Sequence, residues 1–429
     1  MTIMQSTLEA FVWVAIDVAK DRHEALIEAP GWRSRKRVRV QNAAGDFRAF
    51  AEFLHSLRFP VRIGFEPTSN YHRALAYFLH SQGFELQLIS SLALARTREA
   101  MHNSWDKNDP KDAQVILHLL KNGLTQHYHD PIVHHLNDLQ ELSKTHHQVS
   151  LKKTRTQHRL LTHYLPLYFP EIARYHSSSR SEWLWALLIE FPTPRSMTCL
   201  SKPEFIRRAW PLVGRKVSKE RILTDIYLTA LSSIGLPAEE RSEAMAMLRV
   251  ALRQLLTLCP LRATLEERTE ALLENNTDYQ RPRCIRGVGP IIALTILAEA
   301  GDLRRFSHHR QFLKFCGLDL ATEQSGQFRG LTRLSKRGNA RLRAVFWMAA
   351  TVAVRMRENS FRAKFERYMR TDPHSTDRKR KAYVAVAAKI ARVAYALVRS
   401  GADYRCFPEV AVPSGRTRSA WAVEAIPTS

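Results

Sequence analysis

FVWVAID, residues 11–17, is an apolar run that closes on a carboxylate, Asp17. It reads as a strand, and the chain after it repeats the theme. Residues 22–29 (RHEALIEA) form a second candidate strand, and 36–41 (KRVRVQ) alternate with period two, as a half-exposed strand does. Beyond Asn42 and Gly45 the period becomes that of a helix, with Phe47, Phe50, Ala51 and Leu54 recurring at three and four. A short strand follows at 61–65 (VRIGF) with Glu66 at its end. Then come a helix over 70–82, a strand at 84–89 (FELQLI), and helical segments near 92–101 and 110–122. The order β-β-β-α-β-α-β-α predicts a mixed sheet flanked by helices, as in the ribonuclease-H-like fold.

That order predicts where the acids fall. Asp17 ends the first strand, Glu66 ends the fourth, and Asp109 and Asp112 lie at the start of a late helix; Asp106, close by, lies outside it. First and fourth strands are neighbours in this topology, so the four carboxylates are expected to converge. Carboxylates crowded together raise one another's pKa unless a cation neutralises them. Hard oxygen donors of this kind suit Mg²⁺ or Mn²⁺, and two such ions can hold a phosphodiester while activating an attacking oxygen. Each acid also has an ordinary reading. Asp109-Pro110-Lys111-Asp112 is a good helix start, with Asp as N-cap and Pro at N1, and Asp17 and Glu66 also suit a strand end and a turn.

The chain has 429 residues, 65 Lys and Arg against 41 Asp and Glu, and a net charge of +24. Its 19 Phe, 12 Tyr and 8 Trp exclude disorder as the main state. Five widely separated cysteines, none in a CxxC pair, exclude a disulfide scaffold and suit a reducing compartment. The longest apolar run, Ala344 to Val354, is about half of the ~20 residues of a membrane span, and the N-terminus lacks the basic region of a signal peptide. The expectation is a soluble cytoplasmic protein associated with the nucleoid. Its natural partner is a polyanion, because Lys and Arg release counterions when they neutralise phosphates.

Residues 131–170 are expected to form a long helix with coiled-coil-like pairing. Its basic face carries Lys152, Lys153, Arg155 and Arg159; the pairs His134–His135 and His146–His147 suit solvated or phosphate-facing imidazoles. Residues 171–280 read as helical and connective, with breaks at Pro192, Pro194, Pro203, Pro211 and Pro237. Gly287-Val288-Gly289-Pro290 opens an apolar helix ended by Gly301, the form of a helix-hairpin-helix whose turn offers backbone N–H groups to a phosphate; a plain helical hairpin is the alternative. A glycine-rich loop follows with Arg329, Arg333, Lys336, Arg337, Arg341 and Arg343, six basic residues suited to gripping a nucleic-acid backbone. Ser325 sits in this loop with no evident structural duty, and Ser335 is placed to cap the next helix. The predicted domains are 1–128 for the acidic sheet domain, 129–280 for the connecting helices, 281–357 for the hairpin and serine loop, 358–405 for basic C-terminal helices, and 406–429 for a loose tail.

With these motifs in order, the chain resembles the insertion-sequence one-ten family of transposases, bridge-RNA-guided DNA recombinases. VAIDVAKDRHEA, GFEPTSNYHRAL and KNDPKDAQVI look like the family's DEDD motifs in a RuvC-like domain. LQELSKTHHQVSLKKTRTQHRLL matches in the middle, and IRGVGPIIALTILAEAGDLRRF, QSGQFRG and LSKRGNARLR match in the C-terminal transposase domain. The resemblance implies that Asp17, Glu66, Asp109 and Asp112 bind the divalent metal, and that a C-terminal serine, Ser325 with Ser335 in reserve, attacks a DNA phosphate and becomes covalently attached. It also implies donor and target DNA, a structured bridge RNA that reads both, and a dimer or tetramer. Two other readings stay open: a RuvC-type nuclease that uses only the acids and water, and an inactive nucleic-acid-binding protein.

Overall fold

The computed structural model describes residues 10–102, 109–177, 182–214, 218–322, 324–325, 328–330, 332–357 and 359–405. Asp106 and the expected tail from 406 lie outside the described residues. The chain divides after Asn137 into two compact units.

The first unit is built on a six-stranded sheet of order β3-β2-β1-β4-β5-β6. Its strands are β1 (Val12–Asp17), β2 (Arg22–Glu28), β3 (Lys36–Gln41), β4 (Val61–Phe65), β5 (Glu85–Leu88) and β6 (Gln126–His127). The β1–β4 and β4–β5 pairs are parallel and the others antiparallel. Helices α1 (Ala44–Ser56) and α2 (His72–Ser81) cover one face, where Phe47, Phe50, Leu54, Leu75 and Leu79 pack on Val12, Val14, Ile16, Ile63 and Phe65. Helices α3 (Ser91–His102) and α4 (Asp109–Lys121) belong to the other, where Leu94, Val115, Ile116 and Leu119 meet Ala15 and Leu26. Gly64 lets α4 approach: a Cβ there would come 2.9 Å from Ile89 and 3.1 Å from Leu120. The expected mixed sheet is therefore present, with β6 added at the edge opposite β3.

His23 on β2 is fully buried beside Phe47, and neither ring nitrogen has a hydrogen-bond partner. Burial pushes its pKa down, so below pH ~6.5 the unfolded chain takes up a proton that the folded chain refuses. Stability is full above that pH and falls as acid is added, by at most about 1.4 kcal/mol per pH unit from this group. His23→Met is expected to flatten this acid-side fall when urea midpoints at pH 7.5 and 5.5 are compared with wild type; an unchanged pH difference refutes it.

The second unit is helical. Helix α5 (Asn137–Arg159) starts later than the expected 131, because residues 131–135 form a turn. There the Asp130 carboxylate accepts from the N–H groups of Ile132 (2.8 Å) and Val133 (3.3 Å), and His135 takes a positive φ of 54°. A π-helical turn, Leu160–Tyr164, leads into α6 (Leu165–Tyr168), which Phe169-Pro170 ends.

The segment expected to be connective is instead a packed core. Helices α7 (Glu182–Glu190), α8 (Pro194–Thr198), α9 (Lys202–Ala209), α10 (Lys219–Leu231) and α11 (Glu243–Leu273) bury Trp185, Leu188, Phe205, Ile226, Leu252 and Leu255 together with Phe169. Pro194 and Pro203 occupy first turns, where a missing N–H costs nothing, so they begin helices here rather than interrupt them. Among the described residues α11 alone is long and apolar enough to cross a membrane, and Met245, Leu248, Leu252 and Leu255 on it are buried in this core.

Helices α12 (Thr277–Arg283), α13 (Pro290–Ala300), α14 (His309–Phe315), α15 (Ala340–Arg355), α16 (Ser360–Met369) and α17 (Thr376–Ser400) complete the unit, α17 ending on left-handed Gly401. The segment before α15, expected as a flexible loop, is a β arm. Strands β7 (Leu320–Ala321) and β10 (Arg333–Leu334) pair at its base, and β8 (Gln324–Ser325) pairs with β9 (Phe328–Arg329) farther out.

Candidate active site

The sheet register brings the first two acids together. Ile16 lies beside Phe65 in the parallel β1–β4 ladder, so Asp17 and Glu66 are the next positions along it and share one face of the sheet. Side chains at alternate positions show which face. Ala15 and Gly64 meet the α3–α4 layer, whereas Ile16 and Phe65 pack under α1 and α2. Asp17 and Glu66 therefore both lie on the α4 side, half-buried.

Helix α4 supplies the other two positions. Asp109 is its first residue, with a side chain outside the described set, and Asp112 stands in its first turn, almost fully buried. Ala113 borders the same cavity as Glu24. Glu24 lies directly opposite Asp17 in the β1–β2 ladder, so the first turn of α4 sits over the sheet end that carries Asp17. Both oxygens of Asp112 accept from Arg98 Nη1 of α3, at 2.7 and 3.0 Å. The donor chemistry, carboxylate oxygens at two strand ends and a helix start, suits a hard divalent cation. Among the described residues no three His, Cys, Asp or Glu side chains are grouped closely enough to hold an ion.

In the second unit, Ser325 is exposed on the outer ladder of the β arm, opposite Phe328, with only residues 326 and 327 between the two strands. Ser335 is held at the base instead. Its hydroxyl donates to the Asp319 carboxylate, and its N–H donates to the Asp319 carbonyl at 3.0 Å. It does not cap α15; Asn339 does, its side-chain oxygen accepting from the N–H groups of Arg341 and Leu342.

The basic positions divide. Arg333, Lys336 and Arg337 are exposed, whereas the side chain of Arg329 is outside the described set. Arg341 turns inward to Glu299 and donates to the Ser143 hydroxyl at 2.8 Å; Arg343 donates to the Lys336 carbonyl at 3.1 Å. These two brace the base of the arm. On α5, Lys152, Arg155 and Arg159 are exposed, and Arg159 donates to the Tyr164 hydroxyl at 3.0 Å; Lys153 is half-buried near Cys259 and Glu182.

The two glycines of the 287–290 turn differ. Gly287 has φ +89°, and a Cβ there would lie 2.3 Å from the Ala349 carbonyl, whereas the Cβ position of Gly289 is open. Gly289 is the N-cap of α13, and no side chain caps that terminus. Gly287→Ala is expected to destabilise the unit by at least about 2 kcal/mol through strain and overlap with α15, and Gly289→Ala by less than about 1 kcal/mol. Urea unfolding of the two variants gives the comparison, and equal losses would contradict it.

Two family models match the chain. Residues 14–170 match a DEDD transposase model of IS110 type, and residues 281–366 match one described as transposase IS116/IS110/IS902 family. The chain belongs to the IS110 family of transposases. The first IS110 match spans the acidic sheet unit and α5, and the second runs from α12 through the β arm into α16.

The chain is 34% identical over 149 residues to the transposase for insertion sequence element IS1111A of Coxiella burnetii, covering 33% of this chain and 38% of that protein. It is 33% identical over 162 residues to a probable family 20 transposase of Pseudomonas aeruginosa, covering 37% and 46%. A mini-circle putative transposase for IS117 from Streptomyces coelicolor matches at 24% over 355 residues, 79% and 83% of the two chains. The matched segments thus span less than half the length of the first two relatives. The DEDD domain of the IS110 match suggests use of a divalent metal.

Sequence reasoning left out Arg98 and Glu24. A salt-bridge partner fourteen residues away and a cross-strand neighbour become visible only once the register is known.

Proposed function

We propose that this chain is an RNA-guided DNA transposase that cuts and rejoins strands at the ends of its element. The observation that carries the reading is the in-register placement of Asp17 and Glu66 on the α4 face, in a chain with both IS110-family domains. Asp17, Glu66, Asp109 and Asp112 would hold the divalent cation, Mg²⁺ or Mn²⁺, which when bound supplies positive charge to the phosphodiester. Ser325 is the nucleophile: its Oγ forms a bond to phosphorus, the bond from phosphorus to one deoxyribose oxygen breaks, and the serine proton is passed on as that oxygen leaves. Rejoining reverses these steps with a different sugar hydroxyl. The exposure of Ser325 on the arm favours it over Ser335, whose hydroxyl is engaged by Asp319.

Arg333, Lys336, Arg337, Lys152 and Arg155 would neutralise nucleic-acid backbone, leaving base recognition to a structured bridge RNA. The N-terminus of α13, with Gly287 and Gly289, would serve as a helix-hairpin-helix phosphate contact. The working assembly is a homo-oligomer of two or four chains, in the cytoplasm and associated with the nucleoid.

Ser325→Ala is expected to abolish the protein–DNA adduct trapped by denaturation with detergent. Ser335→Ala is expected to retain the adduct and lose about 1 kcal/mol of stability. An adduct that survives Ser325→Ala transfers the role elsewhere. No adduct with wild type, together with strand cleavage that needs only the acids, favours a RuvC-type nuclease using water.

A further inference from the structure

The acidic sheet face continues beyond Asp17. Across the antiparallel ladders Asp17 faces Glu24, and Glu24 faces Arg39, so Arg39, Glu24, Asp17 and Glu66 form one row over β3, β2, β1 and β4. Arg37, two residues before Arg39 on β3, opposes Leu26, a residue of the α4-side core; Arg22 starts β2 on the same side. The other side of β3 is occupied by Val38 and Val40, which pack into the core under α1. Arg22, Arg37 and Arg39 are all exposed, and they line a cavity of about 570 Å³ with Glu24 and with Ala113 of α4. Arg39 donates to Glu24 from Nε at 3.0 Å, and Arg22 Nε lies 3.9 Å from the same carboxylate.

An edge strand gains protection from aggregation by any exposed charge. Protection alone does not call for three guanidinium groups around one concavity, one of them in the row that runs through Glu24 to Asp17 and Glu66. Planar guanidinium forks match pairs of phosphate oxygens. With strands about 4.8 Å apart, Arg39 stands about 10 Å from Asp17, a short span of backbone away.

We propose that Arg22, Arg37 and Arg39, set around Glu24, form a cradle for a phosphodiester backbone and lead one nucleic-acid strand to the carboxylates of β1 and β4. The inference rests on the functional reading above and adds a binding site to it. Glu24 holds Arg39, with Arg22 alongside, when no strand is bound and gives them up to phosphate.

The test uses the full-length chain and measures binding of a labelled DNA single strand, the corresponding duplex and an RNA of the same sequence over a range of salt. For Arg22→Ala/Arg37→Ala/Arg39→Ala, affinity for the cradled strand is expected to fall about tenfold or more. The slope of log affinity against log salt should flatten by about two to three, near 0.9 per phosphate contact on duplex DNA and somewhat less on a single strand. The probe that shows the loss identifies the strand as DNA or RNA. Glu24→Gln should shift affinity the other way, because it removes the competing carboxylate; it therefore reports even if the triple variant folds poorly. A triple variant with wild-type affinity and slope overturns the cradle, as does a Glu24→Gln variant with unchanged binding. A wild-type chain that binds none of the probes removes the functional reading and the cradle together. A wild type that binds and joins DNA, beside a triple variant that does so equally well, removes the cradle alone.

Discussion

Asp17→Asn is expected to lower the yield of the excised, end-joined element on the order of a thousandfold, ~4 kcal/mol of lost transition-state stabilisation. Asparagine keeps the shape at the end of β1 but removes the charge beside Glu66, opposite Glu24 and under the first turn of α4. The measurement is quantitative amplification across the abutted ends in cells carrying the gene with its native flanking DNA, alongside the urea midpoint of the purified variant. A yield within tenfold of wild type, from a folded variant, would falsify the assignment of Asp17 to the reacting centre. If no junction forms even with wild type, the chain is better read as an inactive nucleic-acid-binding protein.

The second large effect is on stability. Arg98→Ala should cost the sheet unit about 3 kcal/mol or more, because Asp112 has only 3% of its side chain exposed and would be left as a buried, unpaired carboxylate. The Arg98→Met/Asp112→Leu pair should recover most of that loss, since an apolar pair of similar volume avoids the desolvation of both charges. The two changes separate in activity. The double variant should be stable and inactive if Asp112 is a metal donor, whereas a purely structural Asp112 would leave it active. Divalent cation added to Arg98→Ala should restore part of the lost stability by supplying a positive charge in place of the guanidinium. A loss under about 1 kcal/mol for Arg98→Ala would mean that solvent reaches the pair.

The sheet is legible from the sequence because its central strands are short apolar runs that end on carboxylates, and because parallel β1 and β4 are separated by a clear helical period. β6 is not legible: two residues, Gln126 and His127, carry no pattern, and only their pairing with β5 makes them a strand. The core of the helical unit hides behind its prolines. Pro194 and Pro203 look like breaks but occupy helix starts, Pro260 lies inside α11, and EWLWALLIE is too apolar all round to show a face. The serine arm reads as a loop because two-residue ladders are too short for period two to appear. The basic face of β3 is visible as an alternation, but its alignment with Asp17 depends on two register pairings that no local pattern encodes.

The ladder joining β1 to β4 has a consequence for how such a chain can diverge. Side chains on a strand alternate faces, so inserting or deleting a single codon within 12–17 or 61–66 would carry the carboxylate at the end of that segment to the α1–α2 side, while most point substitutions along the same strands leave the spacing intact. The exposed part of the connection between β2 and β3, residues 31–35, carries no such constraint. Length variation among descendants should therefore collect in that connection, and the two strand segments should change in composition but never in count.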